Sequence, residues 1–284
     1  MSLDRLSDAA GTFRVLAIDH RDSLRAFLDP GDPDAVSVDD LVAIKRALVE
    51  ALSGQATGVM LEPELSIPQV LDVLAPGVGF IAALEAQGYL ADPGAEPTRL
   101  YWSVAEAAAT GAEALKLLLP YHPDHDLAAA QRTVADSVVA ECRVVGVPLV
   151  LEPLFFGLSD PAQRASVVFR TVEHFADTGA DLLKLPFPVD PAIVTGRDDQ
   201  AAACRRVTDR CQQPWAILSG GGTFESFAHQ VEVAVGSGAS GFMVGRALWG
   251  EAARAADAER AAVIADVVVP RWRRLVEATQ HRPH

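Results

Sequence analysis

Residues 181–188 read Asp181-Leu182-Leu183-Lys184-Leu185-Pro186-Phe187-Pro188, a short apolar run with one lysine inside it. The chain carries 24 Lys plus Arg, and only three of these are lysine: Lys45, Lys116 and Lys184. Surface charge is therefore supplied by arginine, and a lysine set among leucines, prolines and a phenylalanine is not there for solubility. An unpaired ammonium is costly to bury. A lysine on an apolar strand suits chemistry that uses the neutral amine, such as Schiff-base formation. The alternative is a lysine at a strand end that snorkels to a carboxylate.

The same short apolar run recurs along the chain, each time followed by a polar residue, a loop and a helical stretch. Strands are expected near 14–19, 58–62, 79–85, 114–120, 148–154, 182–186, 215–219 and 241–244. Helices are expected between them, among them 39–53 with Asp39 and Asp40 as caps, and 127–145 stopped by Gly146. A further helix opens at Asp160-Pro161. Eight strands alternating with helices in 284 residues predict one (β/α)8 TIM barrel of the α/β class, a single domain. The barrel is expected over about 12–255, with a C-terminal helix over about 256–279 and a frayed tail after it. A doubly wound open sheet is the competing architecture. No GxGxxG follows the first strand, so a dinucleotide fold is disfavoured.

Composition narrows the function classes. Half of the residues are hydrophobic, enough for a large core, and the net charge is −14 with a pI near 4.8. Such a chain is not a general binder of nucleic acid or anionic membranes. It has no run resembling a spanning helix and no apolar signal core in its first residues. Cys142, Cys204 and Cys211 form no CxxC pair, which points to a reducing, cytoplasmic compartment. His122 and His125 lack a third ligand at metal spacing, so neither a metal nor a cofactor is expected. We expect a homo-oligomer acting on a small molecule.

Strand parity then selects the site. In DLLKLP, Lys184 shares a face with Leu182, and Leu183 and Leu185 take the other. By the same alternation Lys116 aligns with Ala114 and Leu118, Glu152 with Val150, Asp19 with Val15 and Ala17, and Glu62 with Gly58 and Met60. Five ionisable groups are thus expected to project toward one axis near the carboxyl ends of strands, where this architecture builds active sites. Two later stretches look like anion sites: Ser219-Gly220-Gly221-Gly222-Thr223 and Gly245-Arg246. Glycines admit backbone N–H groups to an anion, and helix N-termini attract negative charge.

With these residues in view, the chain resembles the class I aldolases of the tagatose-1,6-bisphosphate aldolase type, which include sulfofructosephosphate aldolase as a close relative. The resemblance runs from about residue 16 to 251 through AIDHRDSLR at Ala17, GAEALKLLLPYHPD at Gly111, VLEPL at Val150, DLLKLP at Asp181, LSGGG at Leu218 and GRALW at Gly245. It implies a metal-independent lyase in which Lys184 forms the Schiff base and Glu152 moves protons, with Lys116 and Asp19 beside them. It also implies that Ser219, Gly220, Gly221, Gly245 and Arg246 hold a sugar phosphate, with His20, Arg21 and Glu62 lining the same site. Departures are His20 where glutamine is common, Glu62-Pro63-Glu64 for Asp-Pro-Glu, and Gly221 where other members differ. The implied reaction cleaves a phosphorylated ketose to dihydroxyacetone phosphate and an aldehyde. Two other readings stay open: another Schiff-base barrel, of deoxyribose-phosphate aldolase or transaldolase type, and a non-catalytic barrel that binds sugar phosphates.

Overall fold

Runs such as ALKLLLP and DLLKLP are apolar on both faces, and a strand of that kind is stable only where both faces are covered. The computed structural model, which describes residues 2–88 and 92–280, covers them with a closed barrel of eight parallel strands in chain order. These are β1 Phe13–Ala17, β2 Gly58–Leu61, β3 Gly79–Ala83, β4 Ala114–Tyr121, β5 Leu149–Phe155, β6 Leu182–Leu185, β7 Trp215–Leu218 and β8 Gly241–Val244. Strand β1 pairs with both β2 and β8, so the sheet has no edges and the open doubly wound alternative is excluded.

Helices α1 Asp22–Leu28 and α2 Val38–Leu52 follow β1, and α3 Ile67–Val70 follows β2. Each strand from β3 to β7 is followed by one α-helix: α4 Val104–Ala109, α5 Ala128–Val145, α6 Arg164–Phe175, α7 Arg197–Thr208 and α8 Phe224–Val235. After β8 come α9 Arg246–Arg254, α10 Asp257–Val263 and α11 Val269–Thr279. The expected C-terminal helix is thus interrupted, because a π-helical turn, Ile264–Val268, joins α10 to α11. Of the tail expected to fray, 280–284, Gln280 caps the end of α11 and residues 281–284 lie outside the described residues.

Parity sorts the side chains into two apolar layers. Every strand sends apolar side chains into the barrel interior, among them Val15, Met60, Ile81, Ala114, Val150, Leu182, Ala216 and Met243. The alternate positions, including Leu115, Leu117, Leu119, Leu183 and Leu185, pack under the helices. Each fully buried leucine contributes about 1.5–3 kcal/mol of apolar transfer. Leu3, Leu6 and Phe13 close the amino-terminal end of the barrel. Gly58 makes room for that plug, since a Cβ there would lie 2.7 Å from Leu6 Cδ2.

Local signals held with small shifts. Gly146 stops α5 in the left-handed region at φ 83°, and its N–H returns to Cys142 O. Asp160 accepts from the Ala162 N–H and opens a 3-10 turn, Pro161–Gln163, ahead of α6. The cap of α2 is Ser37 rather than Asp39 or Asp40: its hydroxyl accepts from the Asp40 N–H at 3.0 Å. A capping residue needs extended backbone, which Ser37 has, whereas both aspartates lie inside the first turn and there complement the helix dipole. Cys142, Cys204 and Cys211 are free thiols, and Cys211 lies beyond the end of α7. Among the described residues no helix is long and apolar enough to cross a membrane.

Candidate active site

Register and side-chain length bring the charged groups together at the carboxyl ends of the strands. Leu182 lies beside Val150 across the β5–β6 ladder, so Lys184 stands level with Glu152 two residues on. Lys184 Nζ donates to Glu152 Oε2 at 2.9 Å. Lys116 starts one inward layer lower, beside Val150, and its long side chain reaches up. Its ammonium lies 3.2 Å from Glu152 Oε2, 2.9 Å from Asp19 Oδ2 and 2.6 Å from Glu85 Oε1. Two cations and three carboxylates thus form one connected cluster, nearly buried, with Lys116 1% and Lys184 6% exposed. Pairing is what makes this burial tolerable, because each charge has an opposite charge within hydrogen-bonding reach. For Asp19, burial pushes its carboxyl pKa up, but the charges of Lys116 and Lys184 win and hold it well below the usual carboxylate range.

Above this cluster opens a cavity of about 340 Å³. Of the twelve residues expected at the site, ten line it: Asp19, His20, Lys116, Glu152, Lys184, Ser219, Gly220, Gly221, Gly245 and Arg246. Gly220 and Gly221 adopt φ of 57° and 77°, a left-handed bend that other residues resist, and it turns the loop after β7 over the cavity. The Gly245 N–H donates to Ser219 Oγ at 3.4 Å, tying that loop to the start of α9. Arg246 Nη2 lies 3.5 Å from where a Cβ on Gly221 would stand, so the guanidinium sits beside the glycine loop. A helix N-terminus, a glycine turn and an arginine converge there, a combination suited to a phosphate.

His20 bridges the two halves of the cavity. Its ring meets Trp249 edge-on at 5.3 Å, and its Nδ1 is buried without a hydrogen-bond partner. Burial pushes the imidazole pKa down to about 3; Asp19 opposes this, and Arg246, Lys184 and Lys45 add to it. The ring is therefore neutral near pH 7 and can hydrogen-bond without adding charge, as the amide of a glutamine would.

Two expected residues do not line the cavity. Glu62 lies past the end of β2, where Pro63 turns the chain, so strand parity no longer governs its direction. Its Oε1 accepts from Lys45 Nζ at 2.6 Å and from the Ser66 N–H and hydroxyl; its Oε2 accepts from the N–H groups of Glu64 and Leu65. It is a capping carboxylate under α2 and α3. Arg21 points away from the cavity as well, donating to Glu64 Oε2 at 2.6 Å and to Glu85 O at 2.7 Å. In that position it braces Glu85, a site residue not among those expected from sequence. The signal was present, since Glu85 shares parity with Gly79, Ile81 and Ala83, the inward face of β3. Besides Lys116, Glu85 accepts from the Leu118 N–H at 3.1 Å.

Comparison with known proteins gives the family and supports the fold. Residues 13–251 match the model of the DeoC/LacD family aldolases. A tagatose 1,6-diphosphate aldolase of Listeria monocytogenes is 28% identical over 276 residues, covering 88% of this chain and 80% of that protein. Tagatose 1,6-diphosphate aldolase 2 of Streptococcus pyogenes is 28% identical over 273 residues, covering 87% and 83%. Among solved structures, an archaeal fructose-1,6-bisphosphate aldolase, whose catalytic lysine is covalently bound to the carbinolamine intermediate, superposes with a TM-score of 0.66. That match has 19% identity and covers 97% of this chain and 96% of the other. The fructose-bisphosphate aldolase of Slackia heliotrinireducens gives 0.64 at 16% identity, covering 96% and 87%. These structural likenesses carry the barrel fold; the match over most of the chain carries the family, and the chain belongs to the DeoC/LacD family of aldolases.

Proposed function

We propose that this aldolase is of class I and cleaves a phosphorylated ketose, of the tagatose 1,6-bisphosphate or 6-deoxy-6-sulfofructose 1-phosphate type, to dihydroxyacetone phosphate and an aldehyde. The observation that carries this is Lys184. It is a buried amine at the floor of a cavity, 2.9 Å from one carboxylate oxygen, and its one other hydrogen-bonding contact among the described residues is Met60 Sδ at 3.7 Å. An amine so placed keeps room for a carbon electrophile.

Lys184 Nζ adds to the ketone carbon, and the carbinolamine loses water to give an iminium. Glu152 takes the proton of the C4 hydroxyl, the C3–C4 bond breaks with its electron pair drawn into the iminium, and the aldehyde departs. The resulting enamine takes a proton at C3, and water hydrolyses the new iminium, releasing dihydroxyacetone phosphate and restoring the amine. Glu152 is the proton carrier for loss and return of water, since its Oε2 already touches the amine. Lys116, held by Asp19, Glu85 and Glu152, polarises a substrate oxygen. Asp19 keeps Lys116 oriented toward the cavity. Ser219, Gly220, Gly221, Gly245 and Arg246 hold the phosphate of the ketose end, and neutral His20 hydrogen-bonds beside it.

Borohydride reduction in the presence of dihydroxyacetone phosphate tests the reading. One substrate-derived mass is expected on the peptide that carries Lys184, and turnover is expected to survive excess chelator. Adduct on Lys116 instead, or none on either lysine, would overturn the assignment.

A further inference from the structure

Arg164 stands at the start of α6 and lines the cavity from the β5 side with Leu154 and Phe155. Its Nε donates to Phe187 O at 2.9 Å, and its guanidinium lies over the Phe155 ring at 5.3 Å. Those contacts fix the plane of the group and leave both Nη atoms without a hydrogen-bond acceptor among the described residues. Several other arginines are matched to carboxylates, as Arg170 is to Asp124 and Arg46 to Asp72. No carboxylate among the described residues forms an ion pair with Arg164. Burial pushes its pKa down, and the charge of Asp190, beyond ion-pair distance, only partly opposes that. A half-buried guanidinium with a free fork and no counter-charge, on a cavity wall, is arranged for a ligand that brings the charge.

Its place on the rim says which part of the ligand. Going round the closed barrel, Arg164 follows β5, Lys184 is on β6, the Ser219–Gly221 loop follows β7 and Arg246 follows β8. Under the aldolase reading, on which this inference rests, the phosphate of the ketose end sits at β7 and β8 and the carbonyl at β6. The remaining carbons therefore extend toward β5. We propose that Arg164 binds a tetrahedral oxyanion, phosphate or sulfonate, carried on the far carbon of the ketose, and so selects two-ended anionic substrates over those ending in a hydroxyl.

The test compares three ketose 1-phosphates that differ only at the far carbon: phosphate, sulfonate or hydroxyl. Wild type should favour at least one anionic compound, and which one names the oxyanion. Arg164→Gln should lower kcat/KM for that compound by about 10–100-fold, the loss typical of one charged hydrogen-bonding partner. The hydroxyl-ended compound should change by less than about threefold on the same scale. Equal losses on all three, no loss, or a wild-type preference for the hydroxyl would each overturn the assignment. Dihydroxyacetone phosphate has no far end, so its borohydride adduct on Lys184 should form equally in both proteins. Should wild type form no adduct, the Schiff-base reading falls alone; equilibrium binding of the three compounds to both proteins then decides Arg164 by the same pattern.

Discussion

The molecule buries lysine–carboxylate pairs in two places, and they are built differently. Behind the barrel wall, Lys45 on α2 meets Glu62, and both are fully buried. The three N–H bonds of Lys45 reach Ile18 O at 2.9 Å, Glu62 Oε1 at 2.6 Å and Ser66 Oγ at 3.0 Å. Glu62 is equally saturated. Burial pushes its pKa up, but Lys45, Ser66 and the Leu65 N–H outweigh that and hold it below the ordinary range. Inside the barrel, Lys184 has one carboxylate oxygen and a thioether, and it faces a cavity. The residue types are the same in both places. Lys45, with its donors satisfied by protein, holds the fold, whereas Lys184, with unused capacity toward a cavity, is free to react. The Lys45 cluster still serves the site indirectly, because its bond to Ile18 O anchors the end of β1 that carries Asp19 and His20.

Replacing each lysine by methionine should separate the two roles most sharply. Lys184→Met should abolish turnover and adduct but unfold no more easily than wild type, since Glu152 keeps Lys116 at 3.2 Å and the new side chain suits its apolar neighbours. Lys45→Met removes the ion-pair partner of Glu62 and strands a buried carboxylate, so it should cost about 3–5 kcal/mol in chemical denaturation. At a temperature where it remains folded, it should still form the borohydride adduct. If Lys184→Met proves to be the unstable variant and Lys45→Met the inert one, the contrast is reversed.

Next in size is Glu152→Gln. It should lose about 10²–10⁴ in kcat, the range for a missing general acid or base. The adduct on Lys184 should still form, more slowly, because the amine remains. Wild-type turnover in a folded Glu152→Gln protein would make Glu152 a structural partner like Glu62, and Asp19 and Glu85 would be next to test.

A smaller effect is expected at the anion loop. Arg246→Ala should weaken substrate binding by about 1.5–3 kcal/mol, the worth of a charged hydrogen bond, read from single-turnover rates against substrate concentration. An unchanged concentration dependence would remove Arg246 from the phosphate site.

The smallest prediction concerns His20. Its folded pKa lies near 3 and its ordinary value is 6.5, so between those limits the unfolded chain binds a proton that the folded chain refuses. Stability therefore falls as pH falls from about 6.5 toward 3. Asp19 acts in the same direction but lower, below the ordinary carboxylate pKa. Because 20% of the His20 side chain remains exposed, solvent softens the cost. His20→Gln should flatten the dependence of melting temperature on pH between about 6.5 and 5. A slope identical to wild type would mean that the imidazole already titrates normally in the folded protein.

Much of this site could be read from sequence because strand parity is a local property. Alternation in DLLKLP, ALKLLLP and PLVLEP sends Lys184, Lys116 and Glu152 inward whatever the strands later pair with, and the cavity indeed holds all three. Beyond a strand's last residue parity is no longer guaranteed: it still holds for Asp19, two residues past β1, and it fails for Glu62, one residue past β2. Glu62 follows the last residue of β2, so its direction is set by the turn at Pro63 and by Lys45 from a helix. Glu85 obeys parity too, two residues past β3, and parity alone does not say that it meets Lys116. Arg164 follows the 3-10 turn after β5, where no periodicity reaches.

The sequence by itself determined the eight apolar runs, their inward faces, the glycine turns and the scarcity of lysine, since each depends on neighbours a few residues apart. Only the tertiary structure decided which charges meet. Lys116 touches Asp19 across 97 residues, and Lys184 touches Glu152 across 32. Such pairs exist because the barrel closes at one register, and no local pattern encodes that register. The separation of a saturated Lys45 from an unsaturated Lys184 is of the same kind. Spare hydrogen-bonding capacity depends on every group around the amine, and those groups come from different strands and helices.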